Sequence, residues 1–311
     1  MTGVGVLVHS AKTLGGGLEE LRKTLATNGI SDPMWCEAPK TRFVPEQVEK
    51  LLKEGIELIF VWGGDGTVQR VIDAVAGVPV ALAILPAGTA NLFATNLSIP
   101  KDLEEAVKIG LNGDQRQLDV GLINREHFGV MAGTGLDALM IRDADAGLKD
   151  KVGLFAYVWT GAKNVRKASF KMRIEVDGTA WFKGKASCLL IGNVGDVIGG
   201  ISVFPDAQPD DGLLNLGVVT ASGAMDWVRT LGRSVISDAE GVPFRGDDDR
   251  AEVRYPVGQG RPLRDRRGRS EEDQTTESAR WSRERSPFVY LGRRGDEHGE
   301  SGSGDVGADR R

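Results

Sequence analysis

Two glycine-bearing segments carry the residue types needed to hold a polyphosphate. The first is Gly63-Gly64-Asp65-Gly66-Thr67, between the apolar run Leu58-Ile59-Phe60-Val61-Trp62 and a helical pattern from Val68 to Ala76. At such a junction backbone N–H groups and the helix dipole attract phosphate, and glycine lets the backbone come close to it. The carboxylate of Asp65 would repel phosphate directly, so its presence points to a bridging cation such as Mg2+. Thr67 either donates to a phosphate oxygen or caps the helix. The plainer alternative is a tight turn with Asp65 or Thr67 as N-cap, but a cap alone would not require three glycines. The second segment, Pro86-Ala87-Gly88-Thr89-Ala90-Asn91, follows the apolar run Val80-Ala81-Leu82-Ala83-Ile84-Leu85 in the same manner. Neither segment has the pattern GxxxxGK[ST] or GxGxxG, which weakens the ordinary NTPase and dehydrogenase readings.

These segments need a scaffold, and the first half of the chain supplies one by alternating short apolar runs with helical patterns. Val4 to Val8 reads as a strand, Leu14-Gly15-Gly16-Gly17 as a turn, and Leu18 to Thr27 as a helix with Leu18, Leu21 and Leu25 on one face. A second helix is expected over Val48 to Lys53. This is the texture of a parallel α/β sheet, whose adjacent strand ends face one crevice, so both glycine segments can clamp the same nucleotide.

From about residue 115 the period changes to two. Lys171-Met172-Arg173-Ile174-Glu175-Val176 alternates polar and apolar, Asp177-Gly178 supplies a hairpin turn, and Trp181 to Lys185, Ala186 to Ile191 and Leu213 to Val219 read as further strands. A largely antiparallel β domain is therefore expected over residues 115–244, after an α/β domain over 1–114. Between them, Val152 to Val165 is either a helix with aromatics packed in the core or a surface that meets lipid. Residues 245–311 are crowded with Arg, Asp, Glu, Gly and Ser, and only Pro287-Phe288-Val289-Tyr290-Leu291 looks able to bury itself. The rest of that tail reads as low-complexity and disordered.

Length and composition agree with two domains. At 311 residues, with a net charge of -5 and both signs dispersed, the chain has no strong field for nucleic acid. Cys36 and Cys188 have no CxxC partner, which argues for buried thiols rather than disulfides or zinc. There is no charged leader and no apolar stretch of about 18 residues, so the expectation is a cytosolic protein that meets any membrane from outside.

In order and spacing the two loops resemble the signature of the diacylglycerol kinase catalytic domain, shared in outline with sphingosine kinases and bacterial lipid kinases. The Gly-Gly-Asp-Gly loop is more distantly similar to that of NAD kinases and phosphofructokinases. The resemblance continues through Leu118-Asp119-Val120-Gly121, Phe128 to Ala138, Gly192-Asn193 and Pro209-Asp210-Asp211-Gly212-Leu213-Leu214, covering roughly residues 1 to 244. It implies an NAD kinase/phosphofructokinase-like parallel sheet that holds ATP. A C-terminal β-sandwich would face it across a cleft admitting a lipid head. The implied reaction is transfer of the ATP γ-phosphoryl group to a hydroxyl of a diacylglycerol-like or sphingoid-like lipid.

Carried onto this chain, the resemblance has Gly63, Gly64, Asp65, Gly66 and Thr67, with Val68 and Gln69, cradle the phosphates, and Gly88, Thr89 and Asn91 complete the cradle. Asp65 would act through Mg2+, joined by Asp119 in a metal and water network. The segment Gln208 to Leu213 resembles a structural Mg2+ loop, with the Asp211 carboxylate and the backbone oxygens of Gln208 and Leu213 as ligands. Without the resemblance, Asp-Asp-Gly is simply a good turn. His9 stands where the family often has Asn and lies either near the nucleotide or packed. Relatives often pair through the second domain, which implies a homodimer.

Three departures stand out. Gln69-Arg70 occupies the place of Asn-Glu in many relatives, and Leu92 follows Asn91 where many bacterial diacylglycerol kinases have Asp. The family's Asp-Gly step near its C-terminus, whose Asp is thought to act as general base, has no counterpart here; Gly295-Asp296-Glu297 echoes it in polar sequence. The expectation is that the reading frame shifts near Pro243 to Arg245. Two rival readings follow: a catalytically impaired protein that binds nucleotide and lipid for regulation, and a kinase of a soluble substrate related to NAD kinase.

Overall fold

The first strands form where apolar, β-branched runs are shortest and most continuous. In the computed structural model, which describes residues 3–135, 170–176, 179–186, 188–197, 201–219, 250–255 and 277–291, β1 (Val4–Val8), β2 (Met34–Glu37), β3 (Leu58–Gly63) and β4 (Ala81–Pro86) lie parallel in the order β2-β1-β3-β4. Every residue of β3 and β4 is buried, as expected of parallel strands covered on both faces. Helix α1 (Gly17–Thr27) buries Leu21 and Leu25. Helix α2 (Val44–Lys53) starts a turn earlier than the hydrophobic period suggested, because a proline in its first turn suits a helix start and Val44 already faces the core. Helix α3 (Asp65–Val75) follows β3, the short α4 (Leu92–Asn96) follows β4, and α5 (Leu103–Asn112) is capped by Asp102, which accepts from the Glu105 N–H at 2.9 Å.

The second half is antiparallel, as the two-residue period predicts. Strands β5 (Asp114–Ile123) and β6 (Glu126–Phe128) form a hairpin whose turn residues, Asn124 and Arg125, both take positive φ. Then come β7 (Met131–Gly135), β8 (Phe170–Val176), β9 (Thr179–Ala186), β10 (Cys188–Gly192), β11 (Asp196–Val197), β12 (Ile201–Ser202) and β13 (Asn215–Val219). Strands β13, β10 and β7 make a separate antiparallel sheet. A second core gathers Met172, Ile174 and Val176 of β8 with Leu189 and Ile191 of β10 and Leu216 of β13, so two sheets share one apolar interior.

Two features depart from the sequence reading. Residues 245–311 contain two strands, β14 (Arg250–Tyr255) and β15 (Glu277–Leu291), of which the sequence reading had set apart only Pro287 to Leu291 as able to bury itself. Strand β15 pairs with β14 and β5 in antiparallel fashion and with β4 in parallel at Phe288 and Val289, and Val289 is 1% exposed. Main-chain pairing along both edges does not require side-chain periodicity, which is why composition missed β14 and the first part of β15. The second departure follows from the first: β15 joins the parallel strands to the antiparallel ones in a ten-stranded sheet ordered β2-β1-β3-β4-β15-β14-β8-β9, with β5 on β15 and β6 on β5. The change of period near residue 115 marks a change of strand direction within that sheet.

Val152 to Val165 and the Asp177-Gly178 turn lie outside the described residues. Among the described residues no helix is long and apolar enough to cross a membrane, and Cys36 and Cys188 are buried and unbridged.

Candidate functional site

Parallel register sets Gly63 beside Pro86, so the two glycine loops leave the sheet together at the carboxyl ends of β3 and β4. There the backbones nearly touch. A Cβ on Gly88 would lie 2.5 Å from the Gly64 Cα and 2.6 Å from Asn91 Oδ1, and one on Gly64 would lie 3.0 Å from the Gly88 Cα. Glycine is thus required by close approach, since neither residue has positive φ. Asn91 takes the left-handed conformation (φ 53°, ψ 48°) and closes its loop: Oδ1 accepts from the Gly88 N–H at 2.8 Å and Nδ2 donates to the Gly88 carbonyl at 2.9 Å. Asp65 ties the loops together, its Oδ1 accepting from the Phe93 N–H at 3.3 Å.

Helix α3 opens with no side-chain cap, so neither Asp65 nor Thr67 serves as the N-cap. The N–H groups of Asp65 and Gly66 sit in its first turn, where no intrahelical acceptor exists, and they have no acceptor among the described residues. Oδ2 of Asp65 likewise has no partner there. Gly63, Asp65, Val68, Pro86, Asn91 and Phe93 line a small concavity at this junction. Unsatisfied amides, a free carboxylate oxygen and a backbone cradle that a Cβ would fill suit a polyphosphate with a divalent cation.

Not every expected residue faces this cradle. Thr67 is 1% exposed and packs on Gly63, where an added Cβ would come 2.5 Å from the Thr67 Cβ. Gln69 turns away, its Nε2 donating to the His127 carbonyl. Val68 is buried under the loop, while Thr89 is exposed at the tip of the second one. His9, at the end of β1, donates its N–H to the Trp62 carbonyl at 2.9 Å. Its ring is buried, its Nδ1 has no partner among the described residues, and burial, helped by nearby Lys12, pushes its pKa below the usual 6.5.

The second constellation forms around Asp119. This side chain is 4% exposed on β5, and its Oδ2 accepts from the Gly212 N–H at 2.6 Å while its own N–H donates to the Pro209 carbonyl at 2.6 Å. Asp119 therefore anchors the Gln208–Leu213 loop, whereas Asp65 reaches from the first glycine loop to the Phe93 N–H in α4. Within the Gln208–Leu213 segment, Asp211 Oδ1 accepts from the Leu213 N–H at 2.8 Å, Gly212 has φ 83°, and Arg116 pairs with Asp210. That is the geometry of an Asx turn, so the Asp211 carboxylate already has work inside the loop. Among the described residues no group of three or more His, Cys, Asp or Glu is placed to hold a metal, so a cation at this loop would need backbone oxygens beside the Asp211 carboxylate.

Two supporting groups had no role in the sequence reading, which named Asn193 only as part of the resemblance. Asn193 is fully buried and donates to the Asp119 carbonyl at 2.7 Å and the Gly129 carbonyl at 3.1 Å. Asp73, on α3, accepts from the His127 N–H at 2.8 Å and lies 3.1 Å from His127 Nδ1, clamping the helix that opens the cradle to the β5–β6 hairpin. The sequence signal for Asp73 was its place two helical turns after Asp65; its partner could be known only from the fold.

Two family profiles match the chain in tandem: "Diacylglycerol kinase catalytic domain" over residues 13–123, and "YegS C-terminal NAD kinase beta sandwich-like domain" over residues 130–237. The first contains both glycine loops and Asp119, the second the Gln208–Leu213 loop, and together they cover more than half of the chain. A diacylglycerol kinase of Staphylococcus aureus (strain JH9) is 31% identical over 179 residues, which is 57% of this chain and 56% of that relative, so the chain spans about half the length of the curated relatives it matches. A solved diacylglycerol kinase structure from Bacillus anthracis (strain Sterne) aligns over 94% of this chain and 97% of its own, with a TM-score of 0.70 and 21% identity. An NAD kinase from Archaeoglobus fulgidus, solved with ATP, covers 94% of both chains with a TM-score of 0.51 and 12% identity. At these identities the solved structures establish the fold, an NAD kinase-like α/β sheet followed by an antiparallel sandwich.

The fold is shared with the diacylglycerol kinase and NAD kinase structures, and both glycine loops fall within the catalytic-domain profile. The chain belongs to the diacylglycerol kinase superfamily.

Proposed function

We propose that the protein is an ATP- and Mg2+-dependent lipid kinase that transfers the γ-phosphoryl group to a lipid hydroxyl from the cytoplasmic side of a membrane. The observation that carries this reading is the backbone contact between Gly64 and Gly88 beside the unpaired amides of Asp65 and Gly66. Phosphoryl transfer depends chiefly on positioning and charge neutralisation, and a rigid pair of loops serves the first. The N–H groups of α3 hold phosphate oxygens, Asn91 keeps the second loop in register, and Oδ2 of Asp65 faces the cation. A bound Mg2+ supplies neutralisation of the phosphate charge. Asp119 and Asn193 act at a distance, fixing the Gln208–Leu213 loop against β5.

In this reading residues 1–114 supply the nucleotide side and 115–244 the acceptor side, and the encoded frame changes near Pro243 to Arg245. Translation of the encoding DNA in the other frames tests that last point: apolar strands and an Asp-Gly step support it, and their absence from both frames rejects it. The lack of such a step within residues 245–311 favours a second reading, a nucleotide- and lipid-binding protein with impaired turnover. Incubation with labelled ATP, Mg2+ and a total lipid extract separates the readings. Label in the organic phase supports the lipid kinase, label only in a soluble product points to an acceptor such as NAD, and ATP binding without transfer supports the impaired protein.

A further inference from the structure

Strands β8 and β9 form the far margin of the large sheet, with β9 at its edge. One face of this hairpin is apolar and belongs to the second core: Met172, Ile174, Val176 and Ala186 are all buried. The opposite face carries Lys171, Arg173, Lys183 and Lys185, all exposed. The register sets these cations directly against each other, Lys171 opposite Lys185 and Arg173 opposite Lys183. Directly opposed like charges destabilise an antiparallel pair. Among the described side chains one acid relieves the group, Glu175, which meets Arg173 at 2.6 Å, and the three lysines have no ion-pair partner there.

Edge protection accounts for only part of this pattern. Lysine on an edge strand discourages strand addition, but Lys171 and Arg173 lie on β8, which is covered on both sides by β9 and β14. A second copy of the chain across a two-fold would bring cations against cations. The four charges lie in a nearly planar array, roughly 5 Å apart across the strands and 7 Å along them, which suits a flat anionic surface. In a chain with a net charge of -5 such a concentration is local and not a general basic bias.

We propose that this β8–β9 face docks the protein on an anionic phospholipid bilayer, the chemistry recognised being headgroup phosphate. The choice of a bilayer rests on the lipid-kinase reading, because an acceptor dissolved in a membrane must be reached at its surface; the charged face itself does not depend on it. Binding strength follows from the number of cations near the surface and weakens with salt.

The test is sedimentation of the full chain, without nucleotide, with vesicles of phosphatidylcholine alone and of equimolar phosphatidylcholine and phosphatidylglycerol. Wild type should bind only the anionic vesicles, and less as salt is raised. The Lys171→Gln, Lys183→Gln, Lys185→Gln triple variant should lose about fivefold in partitioning per lysine, about a hundredfold in all. The corresponding triple Lys→Arg variant should retain binding. Equal binding to both vesicles, wild-type partitioning by the Gln variant with an unchanged circular dichroism spectrum, salt-insensitive binding, or capture by duplex DNA in place of vesicles each overturns the proposal. So does a dimer in sedimentation velocity that the Gln substitutions dissociate or strengthen. Vesicle docking without lipid phosphorylation would sink the kinase reading alone, whereas phosphorylation unaffected by the Gln variant would sink the docking surface alone.

Discussion

Replacing Gly88 by alanine adds one methyl group where two backbones meet. The new Cβ would stand 2.5 Å from the Gly64 Cα and 2.6 Å from Asn91 Oδ1, about 1 Å inside ordinary van der Waals contact. Neither neighbour yields easily: one is backbone and the other is held by the ring of hydrogen bonds between Asn91 and Gly88. Because Gly88 does not have positive φ, alanine meets no intrinsic backbone penalty and the whole effect is steric. Overpacking of this kind costs about 1–3 kcal/mol. If that cost is spent parting the loops, Mg-ATP affinity should fall by about 10- to 100-fold, since about 1.4 kcal/mol corresponds to tenfold. The informative control is Gly66→Ala, whose Cβ would meet only Thr41 Cγ2 at 3.6 Å, an ordinary contact. Alanine there should leave the melting temperature equal or higher, because Gly→Ala in a helix stabilises by about 0.5–1 kcal/mol, while crowding any phosphate that lies on the helix. Titration calorimetry with Mg-ATP and thermal denaturation of both variants check this. Unchanged affinity in Gly66→Ala together with unchanged affinity and melting temperature in Gly88→Ala would refute the cradle.

Asp65→Asn should abolish Mg-dependent lipid phosphorylation with little loss of stability, because an amide oxygen can still accept from the Phe93 N–H; wild-type turnover would reject its role toward the cation. Asp73→Ala should destabilise by about 1–3 kcal/mol in denaturant titration, since the half-buried His127 N–H loses the Asp73 carboxylate, and a melting profile matching wild type would show that the clamp is idle. His9 adds a pH dependence whose sign follows from its lowered pKa. The unfolded chain binds this proton more readily, so the stability associated with neutral His9 is complete above pH 6.5 and declines as pH falls from there toward the lower folded value. His9→Gln should flatten that part of the stability curve, and an unaltered acid limb would discount the imidazole.

Local chemistry was legible because it depends on neighbours in the chain. Wholly apolar runs became β3 and β4, the alternating run from Lys171 became β8, and the glycine segments fell at strand-to-helix junctions. The alternative of an N-cap at Asp65 or Thr67 was also open in the sequence, and only the fold removed it by turning Asp65 to Phe93 and burying Thr67. Gln69 shows the same limit: its place after Thr67 suggested phosphate, yet the turn of α3 aims it at the β5–β6 hairpin.

Residue types and spacing by themselves determined an α/β half with two phosphate-suited loops and an antiparallel half after it, since backbone freedom at glycine and hydrophobic period are properties of short stretches. Tertiary structure decided which distant groups meet: Gly64 with Gly88, Asp119 with Gly212, Asp73 with His127, and β15 with β4 and β5. Those partners are separated by long loops of chain, and pairing across them is chosen by the packing and hydrogen bonding of the whole sheet, to which no local pattern gives access.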